Sequence, residues 1–146
     1  MSQNKNLSNI KDIWPKDAPD LDNIPKYIKK YKNELIVIKY GGNVLIERKI
    51  FNNFIDDINI LNQLGLSIVV VHGGGPRIER ELKKEKIKTE FINGLRVTNK
   101  EVITIVEKVL IEFNNDIVNS LNIKGSKAVS LNSKNNNIIK VVPDKP

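Results

Sequence analysis

A β-branched apolar run ends abruptly in three glycines and a proline near the middle of this chain. The run is Leu66-Ser67-Ile68-Val69-Val70-Val71, and His72-Gly73-Gly74-Gly75-Pro76 follows it directly. Such a run predicts a strand that is buried on both faces of a parallel sheet. The glycines allow the backbone to approach a ligand closely, and Pro76 suits the start of a helix because its φ is fixed. We therefore expect the amides of Gly73 to Gly75 to lie at a helix N-terminus, where anions bind.

A second junction of the same kind lies upstream, where Leu35-Ile36-Val37-Ile38-Lys39-Tyr40 is followed by Gly41 and Gly42. The carboxyl ends of neighbouring parallel strands share one crevice in open α/β sheets, and ligands bind there. Neither loop has the P-loop or dinucleotide-binding pattern. The alternative is a pair of tight turns without a ligand, beside a solvated lysine. The repetition favours phosphoryl transfer, in which backbone donors and cations stabilise the transferring group.

Three motifs resemble, in order and spacing, those of the amino-acid kinase family. They are Ile38-Lys39-Tyr40-Gly41-Gly42-Asn43, Val70-Val71-His72-Gly73-Gly74-Gly75-Pro76 and Asn93-Gly94-Leu95-Arg96-Val97-Thr98. The resemblance extends from about Tyr27 to Val142. It implies an α/β fold with three αβα layers and a mainly parallel central sheet, of which this chain supplies the N-terminal lobe. It also implies ATP-dependent phosphorylation, with Mg²⁺, of the γ-carboxylate of N-acetyl-L-glutamate to N-acetyl-L-glutamyl 5-phosphate in arginine biosynthesis.

The resemblance also implies a role for each motif residue. Lys39 corresponds to the catalytic lysine that stabilises the transferring phosphoryl group. The glycines expected to approach phosphates are Gly41, Gly42 and Gly73. No residue of these motifs is expected to bind a metal.

The same resemblance implies that Gly74 and Gly75 hold the amino-acid substrate through their amides and that Arg96 binds a substrate carboxylate. A planar guanidinium suits a carboxylate better than the point charge of a lysine does. The alternative for Arg96 is a surface arginine in a hairpin. We expect His72, the only histidine, to be a hydrogen-bonded structural residue, because a carboxylate nucleophile has no proton to remove.

Composition limits the classes of protein that fit. A length of 146 residues suits one domain with a real core, and the chain has no cysteine for a disulfide or a thiolate metal site. No apolar run is long enough for a membrane helix, and residues 1–9 do not resemble a signal peptide. We therefore expect a cytoplasmic protein without a membrane partner. Most of the +7 charge comes from lysine, without interleaved aromatic residues, and so we expect no nucleic-acid partner.

Local patterns predict the order strand, helix, strand, helix, hairpin, two helices and strand. A helix from Ile50 to Leu64 ends at Gly65, and Asn93-Gly94 predicts a hairpin turn. Thr98 and Glu101 predict a capping box for the helix that follows. The last strands are expected at residues 127–131 and 138–142.

Residues 1–33 form an extension outside this pattern, and residues 34–146 form the amino-acid-binding lobe. The amphipathic segment Ile24 to Tyr31 is too short to be a stable helix alone. It packs either on its own domain or, as the resemblance implies, on a partner subunit in a dimer or hexamer inhibited by arginine. Residues 133–137 depart from the glycine-rich turn of the family, which leaves the conformation of that loop open.

The chain ends before the region in which the family has its adenine site and a second catalytic lysine, and we expect it to be incomplete and inactive alone. Two other functions remain open. One is the kinase-like arginine-sensing domain of N-acetylglutamate synthase, and Lys39 and the intact triple glycine argue against it. The other is a truncated, non-catalytic binding module. A related kinase for aspartate or another acyl amino acid also remains open, because Arg96 identifies only a carboxylate.

Overall fold

The computed structural model describes residues 10–41, 47–134, 140 and 142. Within them, two parallel strands, β1 (Leu35–Tyr40) and β2 (Ser67–His72), form one sheet. The α-helices are α1 (Ile24–Tyr31), α2 (Arg48–Gln63), α3 (Gly75–Lys84) and α4 (Lys100–Ile123). A hairpin contains β3 (Phe91–Ile92) and β4 (Leu95–Arg96), and short 3-10 helices span Lys11–Ile13 and Leu21–Asn23. The α/β class and the parallel pairing are confirmed.

Helix α2 connects the two parallel strands, as the spacing of its apolar residues predicts. Its C-terminal end turns at Gly65, whose φ of +82° is the left-handed conformation expected after a helix. Strand β2 then begins at Ser67, and its Ile68 lies opposite Ile36 of β1. This register brings the carboxyl ends of β1 and β2 to the same edge of the sheet.

The main core lies between one face of the sheet and the helices α2 and α4. Its buried residues are Tyr40, Ile55, Ile58, Phe113, Ile117 and Leu121. The rings of Tyr40 and Phe54 stack with their centroids 3.9 Å apart. Burial raises the pKa of the Tyr40 phenol above its ordinary value, and the nearby charge of Arg77 opposes that rise. The end of β1 is therefore anchored firmly beneath the two helices.

A second cluster joins α3 to the N-terminal half of α4. It consists of Ile78, Leu82, Val102 and Val109. Helix α4 is one continuous helix of 24 residues rather than the two helices predicted, and its two halves thus serve different cores. The two predicted helices are one because no glycine or proline interrupts the sequence from Lys100 to Ile123. Apolar residues also continue at helical spacing on both sides of Glu112.

The opposite face of the sheet carries exposed apolar side chains, which corrects the expectation of strands buried on both faces. Leu35, Val37 and Val71 are 65%, 60% and 49% exposed. The described residues supply the sheet and one helical layer over its other face. The apolar pattern of the strands indicates a sheet that is covered on both faces, whereas the described residues cover only one of them.

The strand predicted at residues 127–131 is wrong as a member of the sheet. The side-chain amide of Asn122 bonds both polar groups of the Ala128 backbone, accepting from its N–H at 2.8 Å and donating to its carbonyl at 3.2 Å. The backbone groups of Ala128 are therefore used by Asn122, and the described sheet contains only β1 and β2. Most of the strand predicted at residues 138–142, and residues 135–137 of the preceding turn, lie outside the described residues.

The hairpin is confirmed, whereas the predicted helix cap is wrong by one residue. Asn93 and Gly94 have φ values of +50° and +79°, as the tight turn of a hairpin requires. The N-cap of α4 is Asn99, whose side-chain oxygen accepts from the amides of Glu101 and Val102 at 3.1 and 2.9 Å. Thr98 instead donates to the carbonyl of Arg96 at 3.0 Å.

Candidate functional site

The parallel register places the two glycine junctions side by side. Tyr40 lies opposite His72, so that Gly41 and Gly73 leave the sheet at adjacent points. The amide of Gly73 donates to the carbonyl of Tyr40 at 3.0 Å, which ties the two junctions together. The two junctions therefore lie together at one edge of the sheet, and the binding of a ligand between them stays a prediction.

The same hydrogen bond corrects the expectation that all three glycine amides face a ligand. The N–H of Gly73 already has an acceptor in the sheet, and it is not free to bind a phosphate. Gly74 caps α3 and Gly75 begins it. Among the described residues, neither amide has a hydrogen-bond acceptor. The first turn of α3 contains no acidic residue, and so no carboxylate of that turn offsets the positive end of the helix dipole.

Gly74 and Gly75 are glycines for different reasons. A Cβ added at Gly74 would lie 2.7 Å from Leu110 Cδ2, and this position therefore lets α3 pack closely against α4. A Cβ added at Gly75 would meet nothing within 4 Å, and the same is true at Gly73. Packing therefore does not require a glycine at position 75, in contrast to position 74.

Lys39 lies on the exposed face of the sheet, opposite Val71 and one residue before the end of β1. Its Cε would lie 3.9 Å from a Cβ added at Gly41, and its side chain thus runs past the first glycine junction. An ammonium on this stem is near the strand ends but outside the core that holds Tyr40. Gly42, the second glycine of that junction, lies outside the described residues.

Arg96 is held from three sides in the hairpin. Its side chain is only 13% exposed, and Nη2 donates to Glu79 Oε2 at 3.1 Å. Nη1 donates to the hydroxyl of Thr89, and the guanidinium carbon lies 4.6 Å from the centre of the Phe91 ring. A guanidinium has five N–H donors, and so these two bonds leave donors for a ligand.

Glu79 connects Arg96 to the helix that begins at the triple glycine. Glu79 lies four residues after Gly75, which is about 6 Å along the helix axis. The guanidinium therefore lies beside the N-terminal half of α3, and no described hydrogen bond or ion pair joins Arg96 to Lys39. Glu79 and Thr89 belong to none of the three sequence motifs. They are recognised as partners of Arg96 only from their contacts with its guanidinium.

His72 is packed and hydrogen-bonded, as expected of a structural residue. Its Nδ1 lies 3.1 Å from the carbonyl of Gly73, and Asn114 Nδ2 lies 3.1 Å from its Nε2. Its ring meets Phe113 edge-on, with the centroids 5.0 Å apart. Because the carbonyl can only accept and the amide nitrogen can only donate, the proton of a neutral imidazole belongs on Nδ1.

Residues 10–41 and 47–134 contain no group of three or more His, Cys, Asp or Glu side chains arranged to hold a metal ion. Within the same ranges, none of the helices combines the length and apolar character that crossing a bilayer requires.

The fold and the motif positions define the class of this protein. The sequence profile of the amino acid kinase family matches residues 34–143, and the chain belongs to that family. The chain is 52% identical, over 132 residues, to the acetylglutamate kinase of Pelagibacter ubique (strain HTCC1062), covering 90% of this chain and 46% of that protein. It is 44% identical over 115 residues to the acetylglutamate kinase of Campylobacter curvus (strain 525.92), covering 78% of this chain and 41% of that enzyme. The chain thus spans less than half the length of these curated relatives.

Solved structures support the fold. N-acetylglutamate synthase from Neisseria gonorrhoeae, complexed with coenzyme A and N-acetyl-glutamate, matches with a TM-score of 0.61 at 22% identity, over 71% of this chain and 24% of that one. The same enzyme complexed with coenzyme A and L-arginine matches with a TM-score of 0.56 at 22% identity, over 75% of this chain and 24% of that one. At this level of identity the likeness concerns the fold.

Proposed function

We propose that this chain is the amino-acid-binding half of a kinase that transfers the γ-phosphoryl group of ATP to the γ-carboxylate of N-acetyl-L-glutamate, in arginine biosynthesis. Residues 34–146 form the lobe, and residues 1–33 form an extension that serves assembly. The reaction takes place in the cytoplasm, where ATP is available. Mg²⁺ accompanies ATP in this proposal, and its ligands come from outside the described residues.

The observation that carries the proposal is the position of Arg96 beside the helix that begins at Gly75. The guanidinium contacts Glu79 in the same helix whose first amides, at Gly74 and Gly75, have no acceptor among the described residues. Arg96 binds one carboxylate of the substrate, and the amides of Gly74 and Gly75 hold its reactive end. Lys39 and Gly41 lie at the neighbouring strand end, where the lysine stabilises negative charge on the transferring phosphoryl group. Gly42 is assigned to the same phosphate-binding junction.

The surroundings of Arg96 suit a carboxylate that is attached to an aliphatic chain. Phe91, Ile92 and Leu95 are 58%, 60% and 72% exposed in the hairpin. Apolar side chains next to a guanidinium bind the methylene and acetyl groups of an acylated amino acid better than they bind a free ammonium group. This arrangement favours an N-acylated substrate over aspartate.

The extension is proposed to join subunits into a dimer or hexamer and to take part in inhibition by arginine. In α1, Ile24 is buried at 5% exposure, whereas Tyr27 and Tyr31 are 49% and 37% exposed. Ile28 on the same helical face is half-buried. A short helix with two exposed tyrosines on its apolar face needs a partner surface to be stable.

A second candidate is the kinase-like arginine-sensing domain of an N-acetylglutamate synthase, an enzyme whose solved Neisseria structures share this fold. Such a domain does not transfer a phosphoryl group. A domain that only senses arginine does not require Lys39 at the strand end or the open space at Gly75. The kinase is therefore preferred.

The test uses the completed chain, by which we mean this chain joined to the part of the Pelagibacter ubique kinase that it does not cover. ADP release that depends on N-acetylglutamate is expected. Lys39→Ala should lower kcat by about two orders of magnitude with little change in KM, because it removes a donor that acts in the transition state. Arg96→Lys should mainly raise KM for N-acetylglutamate. Equal and small effects of both substitutions would refute the roles, and L-arginine binding without turnover would favour the sensing domain.

A further inference from the structure

A cleft of about 470 Å³ opens between α2, α3 and α4 and has no role in the proposed reaction. Its lining contains three of the four arginines of the chain, Arg48, Arg77 and Arg80, and no lysine of the described residues. Among those residues, Lys39, Gly41, Gly73 to Gly75 and Arg96 are not part of the lining. The cleft is therefore a separate concentration of guanidinium groups in a chain whose positive charge is otherwise carried by lysine.

Arg77 is built into the wall of this cleft. Its guanidinium carbon lies 3.9 Å from the centre of the Phe113 ring, and Nη1 lies 2.7 Å from Asp116 Oδ2. Its Nε is buried and has no acceptor among the described residues. The ring and the carboxylate thus fix the guanidinium, although its hydrogen-bonding capacity is not fully used.

The helix ends around the cleft add positive charge to that of the arginines. Helix α2 begins at Arg48, and helix α3 has Arg77 in its first turn. Neither helix has an acidic residue in the first turn or a side-chain bond at its N-cap. Each N-terminus contributes about half a positive charge, and an arginine beside it is repelled. Glu47 and Asp116 offset only part of this charge.

We propose that the cleft binds a small polyanion with phosphate-type oxygens. The planar fork of arginine pairs with two such oxygens at once, which lysine cannot do. Arg48, Arg77 and Arg80 supply the charge from two helices, and Asn119 and Ser120 of α4 line the cleft as neutral donors. An anion there removes the repulsion between the arginines and the helix N-termini.

The test is calorimetric titration of the 146-residue chain with inorganic pyrophosphate in 0.15 M sodium chloride. Saturable binding of one anion per chain is expected. Arg80→Ala, an exposed position that does not support the core, should weaken binding about tenfold, as expected for the loss of a charge-assisted hydrogen bond. Lys83→Ala removes the same charge from the same helix, three residues later and outside the cleft, and should change the affinity less than about twofold.

Three results would overturn the proposal. One is an absence of saturable binding, and another is an equal loss in Arg80→Ala and Lys83→Ala, which would indicate attraction to the net charge alone. The third is a loss of binding in Lys39→Ala, which would place the anion at the strand ends. Parallel titrations with orthophosphate and pyrophosphate distinguish the two sources of the anion. Equal affinity for both would indicate that the cleft binds free phosphate. A preference for pyrophosphate would indicate that it binds a phosphorylated small molecule.

Discussion

Arg96 Nη2 donates to Glu79 Oε2 at 3.1 Å, and this contact joins the β3–β4 hairpin to α3. Arg96 is mostly buried, whereas Glu79 is 46% exposed. The guanidinium is thus oriented before any ligand arrives, with Thr89 holding its other terminal nitrogen. A hairpin of two-residue strands cannot fix such a long side chain by itself, and α3 supplies the support.

Replacing Glu79 should test this support in the completed chain. Glu79→Ala is expected to raise KM for N-acetylglutamate up to about fivefold, the range of a partly exposed ion pair, because Arg96 loses one of its partners. The value of kcat should not change, since Glu79 does not contact the reacting atoms. Glu79→Gln keeps an acceptor oxygen and is the matched control, with a smaller effect. Tighter substrate binding in Glu79→Ala would show that Glu79 competes with the substrate instead.

Alanine substitutions at Gly74 and Gly75 should have opposite consequences. Gly74→Ala brings a Cβ within 2.7 Å of Leu110, and we expect it to lower the free energy of unfolding by about 1–3 kcal/mol. Gly75→Ala meets nothing within 4 Å and has no positive φ, so the stability should be kept. In the completed chain, however, Gly75→Ala should weaken substrate binding. Urea unfolding and KM measurements distinguish the two, and a normal KM in Gly75→Ala would show that the substrate does not occupy the space beside the Cα of this residue.

The cap of α4 gives a direct test of the structure against the sequence pattern. Asn99→Ala should lower the free energy of unfolding by about 1 kcal/mol, because two helix amides lose their acceptor. Thr98→Ala removes only an exposed hydroxyl that donates to a carbonyl, and a smaller loss is expected. Chemical unfolding of the 146-residue chain measures both. A larger loss in Thr98→Ala would mean that Thr98 is the cap after all.

Asp57 should make stability depend on pH. Burial, and then the charge of Asp56, raise the pKa of Asp57 above its ordinary value. The folded state therefore holds the proton more tightly than the unfolded state. The stabilising effect of protonation is complete below the ordinary pKa near 3.8, and it is lost as pH rises through the raised folded-state value.

Asp57→Asn should consequently raise Tm at pH 7, and the difference from the original chain should disappear as pH approaches 4. Asp56→Asn is the matched control, because Asp56 pairs with Lys124 at 2.6 Å, and its replacement should not stabilise the protein to the same extent. Thermal unfolding followed by circular dichroism measures Tm across this range. A pH-independent difference in Tm for Asp57→Asn would contradict the assignment.

The extension is expected to act through the exposed face of α1. Deleting residues 1–31 from the completed chain should reduce the mass measured by light scattering and weaken inhibition by L-arginine, while turnover is kept. Tyr27→Lys with Tyr31→Lys changes only the exposed tyrosines and should have the same effect. An unchanged mass together with an unchanged arginine response would show that the helix serves only its own domain.

The sequence alone was sufficient to predict the elements whose geometry depends on residues that are neighbours in the chain. Asn93-Gly94 adopts the two positive φ values of a tight hairpin turn, and Gly65 adopts the left-handed conformation that ends α2. The apolar runs before the glycines form parallel strands because their side chains suit a pleated, buried surface. The motif order then placed the chain in its family, as the profile match to residues 34–143 confirms.

Contacts between distant residues were decided only by the tertiary structure. The amide of Gly73 belongs to the sheet because β1 supplies the Tyr40 carbonyl, and the backbone of Ala128 bonds to the side chain of Asn122. The partners of Arg96 and the grouping of Arg48 with Arg77 arise from how helices pack. Periodicity shows which face of an element is apolar, but not which side chain of another element will lie against it, because that depends on the relative placement of whole elements.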